Sequence, residues 1–297
     1  MFAFRKCVIR FKILLPKENL MKIKTVFGLL MIMALLLSFG TVSAAPPASG
    51  YSTLDVGSPD CRVIMPWPAG GGPANYQYPI IAWANGWDSQ GSDTVAGYTG
   101  GLSAWALDGP YIIIADKSRS PKVTDLVACL DWMVKQNTVS GSVFNGKLNT
   151  NKIGLSGHSQ GGGVAIMAGN AAYNIVGVIG MNPYQANWNG ANKQKGPVLI
   201  FAGSADTTTP VAKYAQPAYN KVKTSGKGAV LAILQGGDHS DQVWLTPDFT
   251  NYQQPSNMFW RKVLNDDPNA GATLKSILDS NPPWTTSYTF TSNFTLP

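Results

Sequence analysis

Short, almost wholly apolar runs alternate with longer segments in which apolar residues return every three or four positions. The short runs are Arg62–Trp67, Ile80–Ala84, Tyr111–Ala115, Lys152–Ser156, Ile175–Met181, Val198–Ala202 and Ala229–Leu234. Most are apolar at successive positions, as a strand covered on both faces must be. The longer segments Asp93–Leu107, Thr124–Lys135, Gln160–Asn170, Pro210–Lys223 and Ser256–Leu264 fit helices. Within Thr124–Lys135, for example, Leu126, Val127, Leu130 and Met133 share one face. Strands separated by helices predict an α/β fold: a mostly parallel central sheet with helices on both faces. No repeat, charge block or composition break interrupts residues 45–297, which therefore read as one domain. After Asp267 the aromatics Trp284, Tyr288, Phe290 and Phe294 are expected to pack back on the body.

Residues 1–44 follow a different pattern. A basic start, Met21-Lys22-Ile23-Lys24, precedes an apolar run from Val26 to Phe39, and Val42-Ser43-Ala44 follows. That order is the n-region, h-region and cleavage site of an export signal, with cleavage expected after Ala44. The run falls short of the ~20 residues of a comfortable span, so no membrane attachment is expected after cleavage. Residues 1–20 add a second basic, apolar stretch, and a start at Met21 would give a signal of ordinary length. A secreted or periplasmic chain can form disulfides. Of the three cysteines, Cys7 lies in the leader, leaving Cys61 at the start of a strand and Cys129 inside a helix. Spacing leaves both a bridge and two buried thiols open.

Charge excludes one class of partner. The net charge is +7, yet residues 1–44 hold seven basic residues and one acidic, Glu18. The remaining chain has 16 basic and 15 acidic residues, so nothing marks it for nucleic acid. At 44% hydrophobic and 13% charged it has the composition of a folded globule. Gly70-Gly71-Gly72 reads as a turn, because neither a Lys-Ser/Thr pair nor a helix follows it.

The sharpest chemical signal is Ile153-Gly154-Leu155-Ser156-Gly157-His158-Ser159-Gln160-Gly161-Gly162-Gly163. A buried strand runs through G-x-S-x-G into a helix of small residues, the context of a nucleophile elbow. Gly157 and Gly161 carry no Cβ to collide where strand and helix approach, and the strained turn lifts the Ser159 hydroxyl. Serine needs a base. The chain has two histidines. His158 neighbours the serine and points away from it on such a turn, which leaves His239, after the last apolar run, as the base. No Glu occurs beyond residue 18. Asp206, just past Val198–Ala202, is the expected orienting acid, ahead of Asp238, Asp241 and Asp116. The order Ser159, Asp206, His239 is that of α/β-hydrolases. The oxyanion donors are expected to be the backbone N–H groups of Gln160 and of Trp87, in the turn Asn85-Gly86-Trp87-Asp88. Two histidines and two mature cysteines offer no ligand spacing, so neither metal nor cofactor is expected.

Gly-His-Ser-Gln-Gly-Gly-Gly, Asn-Gly-Trp, Asp206-Thr207-Thr208-Thr209-Pro210-Val211 and Gly237-Asp238-His239 together resemble the cutinase-like polyester (polyethylene terephthalate) hydrolases. These belong to the dienelactone-hydrolase branch of α/β-hydrolases, and the similarity runs from about Ile80 to Asp267. Asn182-Pro183-Tyr184 falls where the family has a Pro-Trp pair lining the acyl cleft. The resemblance implies that Trp87, His158, Gln160, Tyr184 and Thr208 border the substrate. It also implies a serine esterase acting on an ester, small or at a polymer surface, through an acyl-enzyme. Three departures stand out: Gln160 replaces the family's Met, Tyr184 its cleft Trp, and its C-terminal disulfide has no counterpart. Dienelactone hydrolases proper use Cys as nucleophile, so Ser159 argues against that activity.

About 16 residues separate the strands ending at Met181 and beginning at Val198, too few for a helical lid. An open cleft on a monomer is expected to take bulky, short- or medium-chain or polymeric esters. The alternatives are a secreted serine peptidase or a lipase on the same fold. A binding module without catalysis would be expected to lack a triad member, and none is missing.

Overall fold

The computed structural model describes residues 50–67, 73, 75–88, 94–241, 249–279, 284–291 and 294–296. The expected signal and its cleavage site, and Gly70-Gly71-Gly72, lie outside the described residues. The strands are β1 (Ser52–Gly57), β2 (Asp60–Met65), β3 (Tyr78–Ala84), β4 (Ile112–Asp116), β5 (Leu148–His158), β6 (Ile175–Met181), β7 (Val198–Gly203), β8 (Ala229–Leu234) and β9 (Trp284–Thr289). They form one sheet in the order β1-β2-β4-β3-β5-β6-β7-β8-β9. From β4 to β8 all neighbours run parallel, while β1, β2 and β9 pair antiparallel at the edges.

The helices are α1 (Thr99–Asp108), α2 (Val123–Gln136), α3 (Gln160–Met167), α4 (Ala215–Val222), α5 (Phe249–Leu264) and α6 (Ala270–Asp279). Side chains alternate across a strand, so each central strand feeds two cores. Ile80, Ala82, Ile153 and Leu155 meet Leu126 and Leu130 of α2, Val164 and Ile166 of α3, and Ala218 and Val222 of α4. Ile81, Trp83, Ile179 and Phe201 face the other way, toward Leu102 and Trp105 of α1, Phe259 and Trp260 of α5, and Leu274 of α6. Full burial of β3, β4 and β7, and burial of all but Val176 in β6, explains their largely apolar sequences.

Departures from the sequence pattern have local causes. Val56 is the one buried residue of β1 and β9 has none, so these edge strands carry no apolar run. The helix expected from Pro210 begins at Ala215, because the preceding turn closes Lys213 and Tyr214 N–H onto the Pro210 carbonyl. Helix α5 begins at Phe249 and carries Pro255 inside it, seven residues before the expected start at Ser256. Cys61 and Cys129 form a disulfide with Cα atoms 6.0 Å apart, tying β2 to α2 across 68 residues of sequence.

Candidate active site

The carboxyl ends of β3, β5, β6, β7 and β8 supply the loops of the site. At the end of β5, Ser159 has φ 54° and ψ −122°, a region that costs a non-glycine residue of order 1–3 kcal/mol. The surroundings enforce it. Ser159 N–H donates to the Met181 carbonyl at 2.9 Å, and its own carbonyl accepts Tyr184 N–H at 2.8 Å and Gly163 N–H at 3.1 Å. A Cβ on Gly157 would strike the Gly161 carbonyl, and one on Gly161 would strike the Ala84 carbonyl. The two motif glycines thus let β5, α3 and the end of β3 close on the serine.

Ser159 Oγ lies 3.0 Å from His239 Nε2, and His239 Nδ1 lies 2.8 Å from Asp206 Oδ2. The carboxylate can only accept, so Nδ1 carries the proton and Nε2 presents its lone pair to the serine hydroxyl. Asp206 Oδ1 accepts Thr208 N–H at 2.8 Å and Thr209 N–H at 2.7 Å, while Oδ2 accepts Thr209 Oγ1–H at 2.6 Å. Burial alone would raise the Asp206 pKa. The hydrogen bonds from His239 and Thr209 outweigh it and hold the carboxyl below the usual range. The arrangement can pass a proton from Ser159 to His239 and hold the resulting imidazolium against an ionised Asp206.

The rival acids face elsewhere. Asp241 Oδ2 accepts Asp238 N–H, and Asp238 Oδ1 accepts Ser240 and Asp241 N–H, so both shape the loop around His239. Asp116 ends β4 and turns Oδ1 to Ser118 N–H.

Two backbone N–H groups are the expected oxyanion donors. That of Gln160 is the first of α3, where a helix leaves donors without intrahelical acceptors. Trp87 sits in the turn after β3. Its neighbours are committed: Gly86 N–H donates to Tyr98 Oη at 3.1 Å, and Asp88 N–H to the Arg119 carbonyl at 3.0 Å. Buried Asn85 braces the turn by donating to Thr94 Oγ1 and the Asp116 carbonyl, each at 2.7 Å. The Gln160 carboxamide reaches away to Ser120 Oγ and the Pro121 carbonyl, both at 3.0 Å.

The Trp87 side chain is 64% exposed and Tyr184 41%, with Tyr214 packed behind Tyr184 at 5.0 Å between ring centroids. Thr208 is exposed on the acid loop. His158, placed at the substrate border by the resemblance, is 5% exposed. Its Nε2 contacts the His239 carbonyl at 2.7 Å and its Nδ1 the Tyr98 hydroxyl at 3.1 Å.

Three residues here escaped sequence reasoning. Thr209 seats the acid, and Asp-Thr-Thr-Thr was a readable signal, since Asp often caps N–H groups two and three residues on. Asn182, at φ 40°, ties the loops together. Its Nδ2 donates to the carbonyls of Asp238 (2.9 Å) and His239 (3.2 Å), and its Oδ1 accepts Gly203 N–H (2.9 Å). Tyr98 carried no sequence signal. Among the described residues no group of three or more His, Cys, Asp or Glu could hold a metal ion, and no helix is long and apolar enough to cross a membrane.

Known proteins share this framework. A family model described as PETase, PET hydrolase-like, matches residues 105–267, more than half of the chain and inclusive of Ser159, Asp206 and His239. Cutinase 2 of Thermobifida cellulosilytica is 28% identical over 155 residues, 48% of this chain and 57% of the relative. Cutinase cut1 of Thermobifida fusca is 28% identical over 155 residues, 48% of this chain and 47% of the relative. A bis(hydroxyethyl) terephthalate hydrolase of Streptomyces coelicolor is 29% identical over 108 residues, 36% and 33% of the two chains. The chain spans about half the length of the curated cutinases it matches. With its mostly parallel sheet and matching family model, the chain belongs to the PET hydrolase-like family of α/β-hydrolases.

Proposed function

We propose that this protein is an exported serine carboxylic ester hydrolase, cutinase- or polyesterase-like, acting on short- or medium-chain or polymeric esters through an acyl-enzyme. The observation that carries the reading is the Ser159–His239–Asp206 chain seated on the elbow. Ser159 Oγ attacks the ester carbonyl carbon as its proton passes to His239 Nε2. The carbonyl oxygen becomes an oxyanion that accepts Gln160 N–H and Trp87 N–H, donors worth roughly 3–4 kcal/mol each when removed. The tetrahedral carbon collapses, the C–O bond to the alcohol breaks, and the imidazolium gives that alcohol its proton. Water then attacks the acyl-serine, His239 takes the water's proton and returns it to Ser159 Oγ, and the carboxylic acid leaves. Asp206 stays ionised throughout.

Residues 182–197 contain turns and bends and no helix, so no lid arises there and an open cleft walled by Trp87 and Tyr184 supports bulky substrates. The disulfide supports an oxidising compartment, in keeping with removal of residues 1–44 on export. The test is a panel of nitrophenyl esters from acetate to palmitate, run beside a polyester film and a peptide nitroanilide. Short and medium esters should turn over fastest, with release of monomer from the film. Faster cleavage of the anilide would favour a peptidase, and a sharp preference for palmitate with interfacial activation would favour a lipase.

A further inference from the structure

Two titratable groups, the buried His158 and the half-buried Tyr98, take no part in the steps above, and both sit where the turn after β3 meets the His239 loop. The His239 carbonyl can only accept, so the 2.7 Å contact requires His158 Nε2 to carry the proton. His158 Nδ1 is then a lone pair, and the Tyr98 hydroxyl must donate to it at 3.1 Å. The Tyr98 oxygen in turn accepts Gly86 N–H at 3.1 Å. Every proton in the series is assigned by its neighbours. Burial pushes the Tyr98 phenol up to about 12 and, with His239 beside it, the His158 imidazole down to about 3. Both shifts favour the protonation states that the hydrogen bonds assign.

We propose that Tyr98 and His158 are positioning residues: their hydrogen-bonded strut from Gly86 N–H to the His239 carbonyl sets the spacing between the Trp87 oxyanion donor and the general base. The strut acts through other residues, and the inference rests on the esterase reading of Ser159. The strut spans the transition state. Gly86 N–H is one peptide from Trp87 N–H, and the His239 carbonyl belongs to the residue whose ring faces Ser159 Oγ. The fit is close at the Gly86 end, where an added Cβ would lie 2.9 Å from Tyr98 Oη, 3.1 Å from His158 Nδ1 and 3.4 Å from Ser159 Cβ. Packing holds the strut laterally, with the Tyr98 ring 5.2 Å from that of Trp83 and the His158 ring 4.7 Å from that of His239. Asn182 Nδ2 reaches the same His239 carbonyl at 3.2 Å, so loss of His158 leaves the loop attached but free to drift.

Tyr98→Phe deletes one hydroxyl and keeps the ring. On nitrophenyl acetate its kcat should fall roughly tenfold to a hundredfold, the range expected of a sub-ångström to ångström misplacement. KM should stay within about twofold, because the interaction acts only through the transition state. His158→Phe should lose at least as much, and His158→Gln, whose amide can donate to the His239 carbonyl, should recover part of that loss. Thermal midpoints and near-UV circular dichroism identify any variant that fails to fold, in which case Tyr98→Phe alone decides. Retention of kcat within about twofold in Tyr98→Phe, or a loss seen only in KM, overturns the strut. Fluorophosphonate labelling of the wild type separates the two levels. A strut that fails with Ser159 still labelled leaves the esterase reading standing, and absent labelling removes both.

Discussion

Acid should destabilise this protein through His158, and the size of the effect follows from its burial. Desolvation, the largest cause, and the neighbouring His239 lower its pKa from 6.5 to about 3. In the unfolded chain the same imidazole takes a proton near 6.5. Between these two values the unfolded state binds one proton more than the folded state, so stability rises with pH and is lost as pH falls through the window. The slope is about 1.4 kcal/mol per pH unit. Going from about pH 7.5 to about pH 4.5 should therefore remove ~3 kcal/mol, a large share of the 5–15 kcal/mol of an ordinary domain. Asp206 is depressed and adds its own loss only as pH falls below the normal carboxylate range. Urea unfolding of wild type and His158→Gln at both pH values gives the difference directly. Wild type should lose ~3 kcal/mol more than the variant on acidification. Equal losses would mean that His158 is protonated in the folded state, and the tautomer assigned to it would be wrong.

Asp206→Asn should lower kcat by about 10³–10⁴-fold by misorienting the His239 ring, with steady-state kinetics as the check; a loss below about tenfold, with a larger one in Asp241→Asn, would move the acid role to Asp241. Replacing both Cys61 and Cys129 by Ala should reduce unfolding free energy by about 2–5 kcal/mol in denaturant titration, since the bridge closes a long loop. Tyr184→Ala should raise KM for a bulky nitrophenyl ester more than for the acetate, because the exposed ring supplies apolar area that a small acyl group cannot use. Equal slowing of both substrates would make Tyr184 a support for the loop.

The sequence carried the central strands and the elbow because both obey local rules. A strand covered on two faces must be apolar throughout, as Ile112–Ile114 and Val198–Phe201 are. A serine at φ 54° between two approaching backbones must have glycine on both sides. Edge strands escape such rules. Four of the six residues of β1 are exposed, as are two of β9, so neither shows a run. Helix α6 carries only Leu274 and Leu278 as large buried residues, too short a period to stand out. Within the site, Asn182 and Tyr98 act across 56 and 60 residues of sequence through buried hydrogen bonds. Spacing holds no trace of such pairs. His158 illustrates the same limit: its place in the motif was plain, and only the packing of Tyr98 and the His239 loop turns it inward.

The most direct measurement is covalent labelling of Ser159. Wild-type protein treated with a fluorophosphonate, then examined by intact mass and peptide mapping, should gain one label per chain, on Ser159, with parallel loss of nitrophenyl acetate hydrolysis. Ser159→Ala should take no label and show no enzymatic turnover while keeping its near-UV circular dichroism. Turnover near the wild-type rate in the folded Ser159→Ala protein, or labelling at another residue, would contradict the assignment of this site.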